Sequence, residues 1–280
     1  MQLNEVVEAS ASVAGDRSRL RKTAVLAGLL GSASPAELPV VVAWLSGEIP
    51  QGRLGVGWRS LAKLQAAPAD TPSLTVGDVD DALSALAAAT GTGSAARRAE
   101  IIATMFAAAT EPEQRFLVAL LTGELRQGAL AGVMTDAIAK ASGQDLALVR
   151  RAHMLTGSLP VTAGLAVSGG AETLAGVGLE VGRGVSPMLA TPAENLNDAL
   201  TLLGTDVVVD YKLDGARIQV HRRGEDITVY TRTLNDVTTR VPDIVEVVAG
   251  LPCETVILDG ETLTLTAVSY THLTLPTSDL

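Results

Sequence analysis

The chain is poor in cysteine, in aromatic side chains and in positive charge. Its single cysteine, Cys253, excludes an internal disulfide, which fits a reducing compartment. Aromatic residues make up only 2% of the 280 positions, so the core has to be built from Leu, Val, Ile and Ala. His153 and His221 have no ligand-like spacing with each other or with Cys253, so no zinc site is assigned and no metal ligand is named. No run of about 18 apolar residues exists to cross a membrane. The opening Met1-Gln2-Leu3-Asn4-Glu5 lacks the basic and apolar regions of a signal peptide. These absences together point to a cytoplasmic location. What remains is 47% apolar and 19% charged, the composition of a globular protein long enough for two domains.

Charge is unevenly spread. The formal net charge is −10, which taken as a whole argues against a nucleic-acid partner. Residues 1–190 hold 15 Lys and Arg against 17 Asp and Glu, whereas residues 191–280 hold 6 against 14. The first part is therefore near neutral and carries basic clusters at Arg17-Arg19-Arg21-Lys22, Arg97-Arg98 and Arg150-Arg151. Each reads by itself as solvated helix surface; gathered on one face they would hold phosphates.

Residues 1–165 read as helices. Ala and Leu recur at helical spacing over Leu20–Leu30, Ala36–Leu45, Val79–Ala89, Ala99–Ala109 and Pro112–Leu125. Ser34-Pro35-Ala36-Glu37 combines a capping Ser, an N1 Pro and a Glu at N3, and Thr110-Glu111-Pro112-Glu113 puts acid in a first turn. An internal echo links Leu45–Gly52 (LSGEIPQG) with Leu121–Gly128 (LTGELRQG), each following an apolar helix. It predicts either two related helical halves or a chance similarity in a Gly- and Leu-rich chain. Glycines and prolines between 166 and 190 then read as a linker. From Asp206 the pattern turns β: Val207-Val208-Val209, Arg217–Arg222 and Ile227–Thr231 read as strands, with period-two alternation at Ile218, Val220, Ile227 and Val229. Pro242–Val248 reads as a helix and Val256-Ile257-Leu258 as a short buried strand, with Asp259-Gly260-Glu261 leaving its end. The fold class is thus multidomain, α followed by α+β.

The sharpest stretch is Asp210-Tyr211-Lys212-Leu213-Asp214-Gly215-Ala216-Arg217. Lys, Asp and Arg gather at one strand end, where a nucleotide phosphate can lie. A nucleophilic lysine needs its neutral amine, so burial or neighbouring cations must lower its pKa; Arg217 and Arg232 are the cations at hand. Taken alone, the stretch also fits a Lys–Asp pair at a hairpin turn. Lys-x-Asp-Gly-x-Arg resembles the first motif of the covalent nucleotidyltransferases. Further matches follow in order: Val185-Ser186-Pro187-Met188-Leu189-Ala190, Ile218-Gln219-Val220-His221, Tyr230–Thr238, Leu258-Asp259-Gly260-Glu261 and, upstream, Gly123–Gly128. Together they resemble the ATP-dependent DNA ligases over nearly all of residues 1–267.

That resemblance implies a helical DNA-binding domain over 1–165, a linker over 166–190 and part of an ATP-grasp-like adenylation domain over 191–267. It implies Lys212 as the nucleophile that forms a phosphoramide with AMP, Asp214 and Gly215 as support, and Arg217 and Arg232 as nucleotide contacts. Asp210 stands where many relatives have a Glu that meets the adenine amino group, and Glu261 would reach the ribose or help position a metal. ATP and Mg²⁺ are implied as cofactors and nicked duplex DNA as the partner of a monomer, in replication, repair and recombination. An RNA ligase or a capping-type enzyme fits the first motif too, but not the long helical region before it. Residues 268–280 depart from the family: Val268–Ser278 resembles a translated sequencing adapter, which implies a non-native tail. The expectation is then of a chain without the later motifs that works as a DNA-binding module and seals no nicks.

Overall fold

The computed structural model describes the chain except residues 53, 62–65, 126–130, 189, 211–212 and 264–280. The elements run α1 (Leu3–Gly15), α2 (Arg19–Ser32), α3 (Leu38–Leu45), α4 (Trp58–Leu61), α5 (Val76–Ala88), α6 (Ser94–Ala108), α7 (Glu111–Thr122), α8 (Ala131–Ser142), α9 (Leu146–Thr156), α10 (Leu159–Ser168) and α11 (Gly170–Gly176). They continue with α12 (Leu196–Leu203), β1 (Ala216–Arg223), β2 (Asp226–Thr231), a 3₁₀ turn at Thr238–Arg240, α13 (Pro242–Ala249) and β3 (Thr255–Thr262). The described residues form two compact units. The first comprises Met1–His153 with Ser158–Val177, the second Met154–Gly157 with the described residues from Gly178 on.

Among its described residues the first unit is built of helices without a strand, and its core is mostly aliphatic, with Trp44, Phe106 and Phe116 buried in it. In α1, Leu3, Val6, Val7, Ser10 and Val13 recur at helical spacing and are buried. Burying one such Leu or Val fully contributes roughly 1.5–3 kcal/mol. Helix α3 is almost all apolar, and Val41, Val42, Ala43, Trp44 and Leu45 are all buried. It packs on α10, while α2 packs on α8. Reciprocal capping boxes start three helices: Gln2 with Glu5 at α1, Thr75 with Asp78 at α5 and Thr110 with Glu113 at α7. Ser34 and Glu37 make the same exchange just ahead of α3, where Glu37 also takes the Met1 ammonium at 2.5 Å.

The echo has a common structure. After α3 the Gly47 N–H reaches the Trp44 carbonyl and the Glu48 N–H the Ala43 carbonyl; after α7 the Gly123 N–H reaches Leu120 and the Glu124 N–H reaches Ala119. Both glycines have left-handed backbones, φ +79° and +71°. These are matching Schellman-type ends. The later part of the second copy, from Arg126, lies outside the described residues.

In the second unit β1 is central, with β2 and β3 antiparallel on either side. One sheet face is apolar: Ile218, Val220 and Val229 are buried together with Val248 of α13 and Val237. Three expectations need correction. The span 166–190 contains the end of α10 and all of α11, because Leu174 is fully buried and anchors that turn. Val207-Val208-Val209 is not a strand: among the described residues nothing pairs with it, and Val208 is 96% exposed. Third, β3, which has only β1 as a partner among the described residues, is half-exposed and continues through Asp259-Gly260-Glu261 to Thr262; pairing with β1 along its length keeps those residues in the ladder. No helix of the described residues is long and apolar enough to cross a membrane.

Candidate active site

The face of the sheet opposite α13 is polar. Period-two alternation along β1 puts Arg217, Gln219 and His221 on it. Their cross-strand partners bring Glu261, Asp259 and Ile257 from β3, and Tyr230 and Thr228 from β2. The ends matter most. Arg217 lies opposite Glu261, and Arg232 follows Thr231, the residue opposite Ile218. The C-terminal ends of β2 and β3 and the N-terminal end of β1 therefore meet at one edge. There Arg217 stands opposite Glu261, Arg232 follows the end of β2 in a turn, and Asp214 and Gly215 lead into β1.

At this edge Arg217 grips Asp259 with two parallel bonds, Nε–Oδ1 at 3.0 Å and Nη2–Oδ2 at 2.7 Å. The guanidinium holds the Asp259 carboxyl below the usual carboxylate range, and Asp259 in turn raises Arg217. The Gly215 N–H donates to Glu261 Oε1 at 3.1 Å. Gly215 has no room for a side chain: a Cβ there would stand 2.5 Å from the Thr262 carbonyl oxygen. Arg232 is exposed, with no hydrogen bond or ion pair of its side chain among the described residues, at the start of a turn ordered by Thr231, Thr233 and Asn235. Asp210 and Asp214 are exposed. Lys212 lies outside the described residues. Among the described residues no group of three or more His, Cys, Asp and Glu side chains could hold a metal ion.

A cleft of about 210 Å³ opens on the polar face, between Arg217, Gln219 and Asp259 of the sheet and Val185, Ser186 and Met188 of the preceding segment. That segment is tied to the sheet by side chains. Gln219 bonds both backbone groups of Val185, accepting from its N–H at 2.9 Å and donating to its carbonyl. His221 Nδ1 accepts the Gly182 N–H at 3.1 Å, and the Tyr230 hydroxyl donates to the Gly182 carbonyl. Burial keeps the His221 pKa below its ordinary value and pushes Tyr230 up. The sequence reading gave none of these three a role. The signal was present in Arg217-x-Gln219-x-His221, polar at every second position of a strand whose other face is apolar.

Two family models match the chain. "DNA ligase N terminus" covers residues 59–139, and "ATP dependent DNA ligase domain" covers residues 187–277. Relatives named probable DNA ligase are similar along almost its entire length. The one from Rhodococcus jostii is 55% identical over 266 residues, 95% of this chain and 53% of that protein. Those from Saccharopolyspora erythraea and Streptomyces griseus are 55% and 53% identical, over 94% and 95% of this chain and 51% and 52% of theirs. The chain belongs to the ATP-dependent DNA ligase family. It spans about half the length of the curated relatives it matches. The ligase-domain match includes Arg217, Arg232, Asp259 and Glu261, so the edge described above falls within the family's ATP-dependent domain. The N-terminal match runs from α4 into α8.

Proposed function

We propose that the chain carries the adenylation lysine of an ATP-dependent DNA ligase that seals nicks in duplex DNA, working as a cytoplasmic monomer on a nucleotidyltransferase-type sheet. The observation behind this reading is that the N-terminal end of β1, with Arg217 opposite Glu261 and Gly215 bonded to Glu261, meets the end of β2 just before Arg232. In the proposed reaction the neutral Lys212 amine attacks the α-phosphorus of ATP. An N–P bond forms, the bond to the bridging oxygen breaks, and pyrophosphate leaves. AMP then passes from Lys212 to the 5′-phosphate of a nick, and attack by the nick 3′-hydroxyl releases AMP and closes the phosphodiester. In this reading the Arg217 and Arg232 guanidiniums hold phosphate oxygens as charge develops. Asp214 and Gly215 shape the turn, Asp210 faces the adenine amino group, and Glu261 reaches the ribose or a metal ion.

The donor set fits a divalent ion that arrives with its nucleotide. Asp259 is engaged by Arg217 and one oxygen of Glu261 by Gly215, which leaves one carboxylate oxygen of Glu261 to join phosphate oxygens. Mg²⁺ commonly takes one or two carboxylates plus substrate phosphates. When bound, it offsets phosphate charge. The test is covalent labelling. Intact protein incubated with α-labelled ATP should gain one AMP at Lys212, and Lys212→Arg should abolish it, because arginine cannot present a neutral amine at working pH. Labelling of Lys212→Arg at the wild-type rate would overturn the assignment.

A further inference from the structure

Residues 182–185 cross the polar face of the sheet without belonging to it. A strand added there would be held by a backbone ladder; this one is held by side chains. Gly182 gives its N–H to His221 and receives the Tyr230 hydroxyl at its carbonyl. Val185 has both backbone groups on the Gln219 amide. Gln219 and His221 are 6% and 1% exposed, so neither bond competes with bulk water. Loss of a partner here would leave buried polar groups unpaired, which is more disruptive than losing an exposed bond. The Ser186 N–H, one residue on, bonds the Met154 carbonyl at 2.9 Å. The pinned strap then supplies one wall of the cleft, with Val185, Ser186 and Met188 facing Arg217 and Asp259 across it.

We propose that Gln219 is a positioning residue for nucleotide binding: by holding both backbone groups of Val185 it fixes the strap that walls the cleft, with His221 and Tyr230 as a second anchor at Gly182. The inference rests on the ligase reading above. A residue of this kind sets how readily the cleft accepts ATP and leaves the chemical step to the lysine and the arginines. The side chain must both donate and accept. Gln219→Met keeps the shape and loses both bonds. Gln219→Glu keeps the acceptor for the Val185 N–H and sets a carboxylate against the Val185 carbonyl, until protonation restores a donor. Val185→Pro removes the N–H from the opposite side.

The experiment measures the rate of covalent AMP uptake by the intact protein against ATP concentration, for wild type and these variants. In Gln219→Met and Val185→Pro the half-saturating ATP should rise about tenfold, with the maximal rate within about twofold. The double variant should be no worse than the poorer single one. In Gln219→Glu the half-saturating ATP should fall back toward wild type between pH 8 and pH 6, and should do so in neither wild type nor the Met variant. Wild-type half-saturation in all three variants overturns the proposal, as does a fall in maximal rate at unchanged half-saturation. Val185→Pro keeps the question open to decision if a Gln219 variant does not fold. Hydrogen exchange at the Val185 amide gives a reading independent of catalysis, with faster exchange expected in Gln219→Met. If wild type takes up no AMP, the ligase reading fails. If wild type takes up AMP and the Gln219 variants match it, the strap proposal fails alone.

Discussion

Gly215 shows how closely one residue can be specified. It follows Asp214 at the start of β1, donates its N–H to Glu261, and has the Thr262 carbonyl oxygen where a Cβ would go. That oxygen belongs to the backbone of a paired strand and cannot swing aside as a side-chain tip can. Gly215→Ala should therefore push the 213–215 segment, which follows the proposed nucleophile in sequence, off β3. We expect covalent AMP formation to fall at least tenfold while the melting temperature drops by only a few degrees, since overpacking at a strand end costs about 1–3 kcal/mol. Wild-type labelling by the alanine variant would refute this. Glu37 is a second constrained residue, far from the chemistry. The Met1 ammonium first and Ser34 next hold its carboxyl at about 2, against an ordinary 4.5. A depressed carboxylate contributes stability that is complete above the unfolded value and fades as pH falls through the folded one. Glu37→Gln should thus melt lower than wild type at pH 7, and the gap should close between pH 4.5 and pH 2. A gap that stays constant across that window would count against it.

At the scale of elements, the matching helix ends after α3 and α7 give a paired test. Gly47 and Gly123 have φ near +79° and +71°, a region that charges a Cβ about 1–2 kcal/mol. Gly28, inside α2, has open space around it and no such backbone. Gly47→Ala and Gly123→Ala should each lower stability to urea by about 1 kcal/mol, whereas Gly28→Ala should leave it unchanged or raise it by up to about 1 kcal/mol. Equal effects at all three would mean the echo has no common structural role. A cap is local chemistry, an apolar helix, a Gly, then a fixed hydrogen-bond pattern, so the echo pointed to these two helix ends, but which of its glycines makes each cap shows only in the backbone. The same locality made α2, α3, α5, α6 and α7 readable from spacing and caps, and β1 and β2 from alternation. Where reading failed, the missing information was non-local. Val207-Val208-Val209 has every local mark of a strand, yet strands exist only in pairs and nothing among the described residues pairs with it. The burial expected of Val256–Leu258 depended on what covers β3, which no run of residues states. The site divided in the same way. Lys212, Arg217 and Glu261 were proposed through motif resemblance, but the grip of Gln219 on Val185 spans 34 residues and could be seen only in three dimensions.

The whole molecule poses an electrostatic problem: a chain of net charge −10 is proposed to hold a polyanion. The basic clusters of the helical unit resolve into two kinds of cation. Arg19 and Arg150 share the carboxylate of Asp136, Arg21 pairs with Asp16, Arg98 binds the Leu86 and Leu54 carbonyls, and Arg151 binds those of Ala175 and Val177. These hold helices together and have less to offer a phosphate. Arg17 and Arg97 have no hydrogen bond or ion pair of their side chains among the described residues. Each phosphate neutralised by a protein cation releases counterions and steepens the fall of affinity with salt by about 0.9 per contact. If Arg17 and Arg97 meet DNA, Arg17→Ala and Arg97→Ala should each weaken binding to a nicked duplex and reduce the salt slope by about one, without changing the melting temperature. Arg98→Ala should do the reverse, lowering stability by about 1–3 kcal/mol through unpaired buried carbonyls while leaving the slope alone. Titrating a nicked duplex at several salt concentrations, beside melting curves, separates the two kinds. A slope that drops for Arg98→Ala and not for Arg17→Ala or Arg97→Ala would mean that the cations tied up inside the fold, rather than those left over, are the ones facing the DNA.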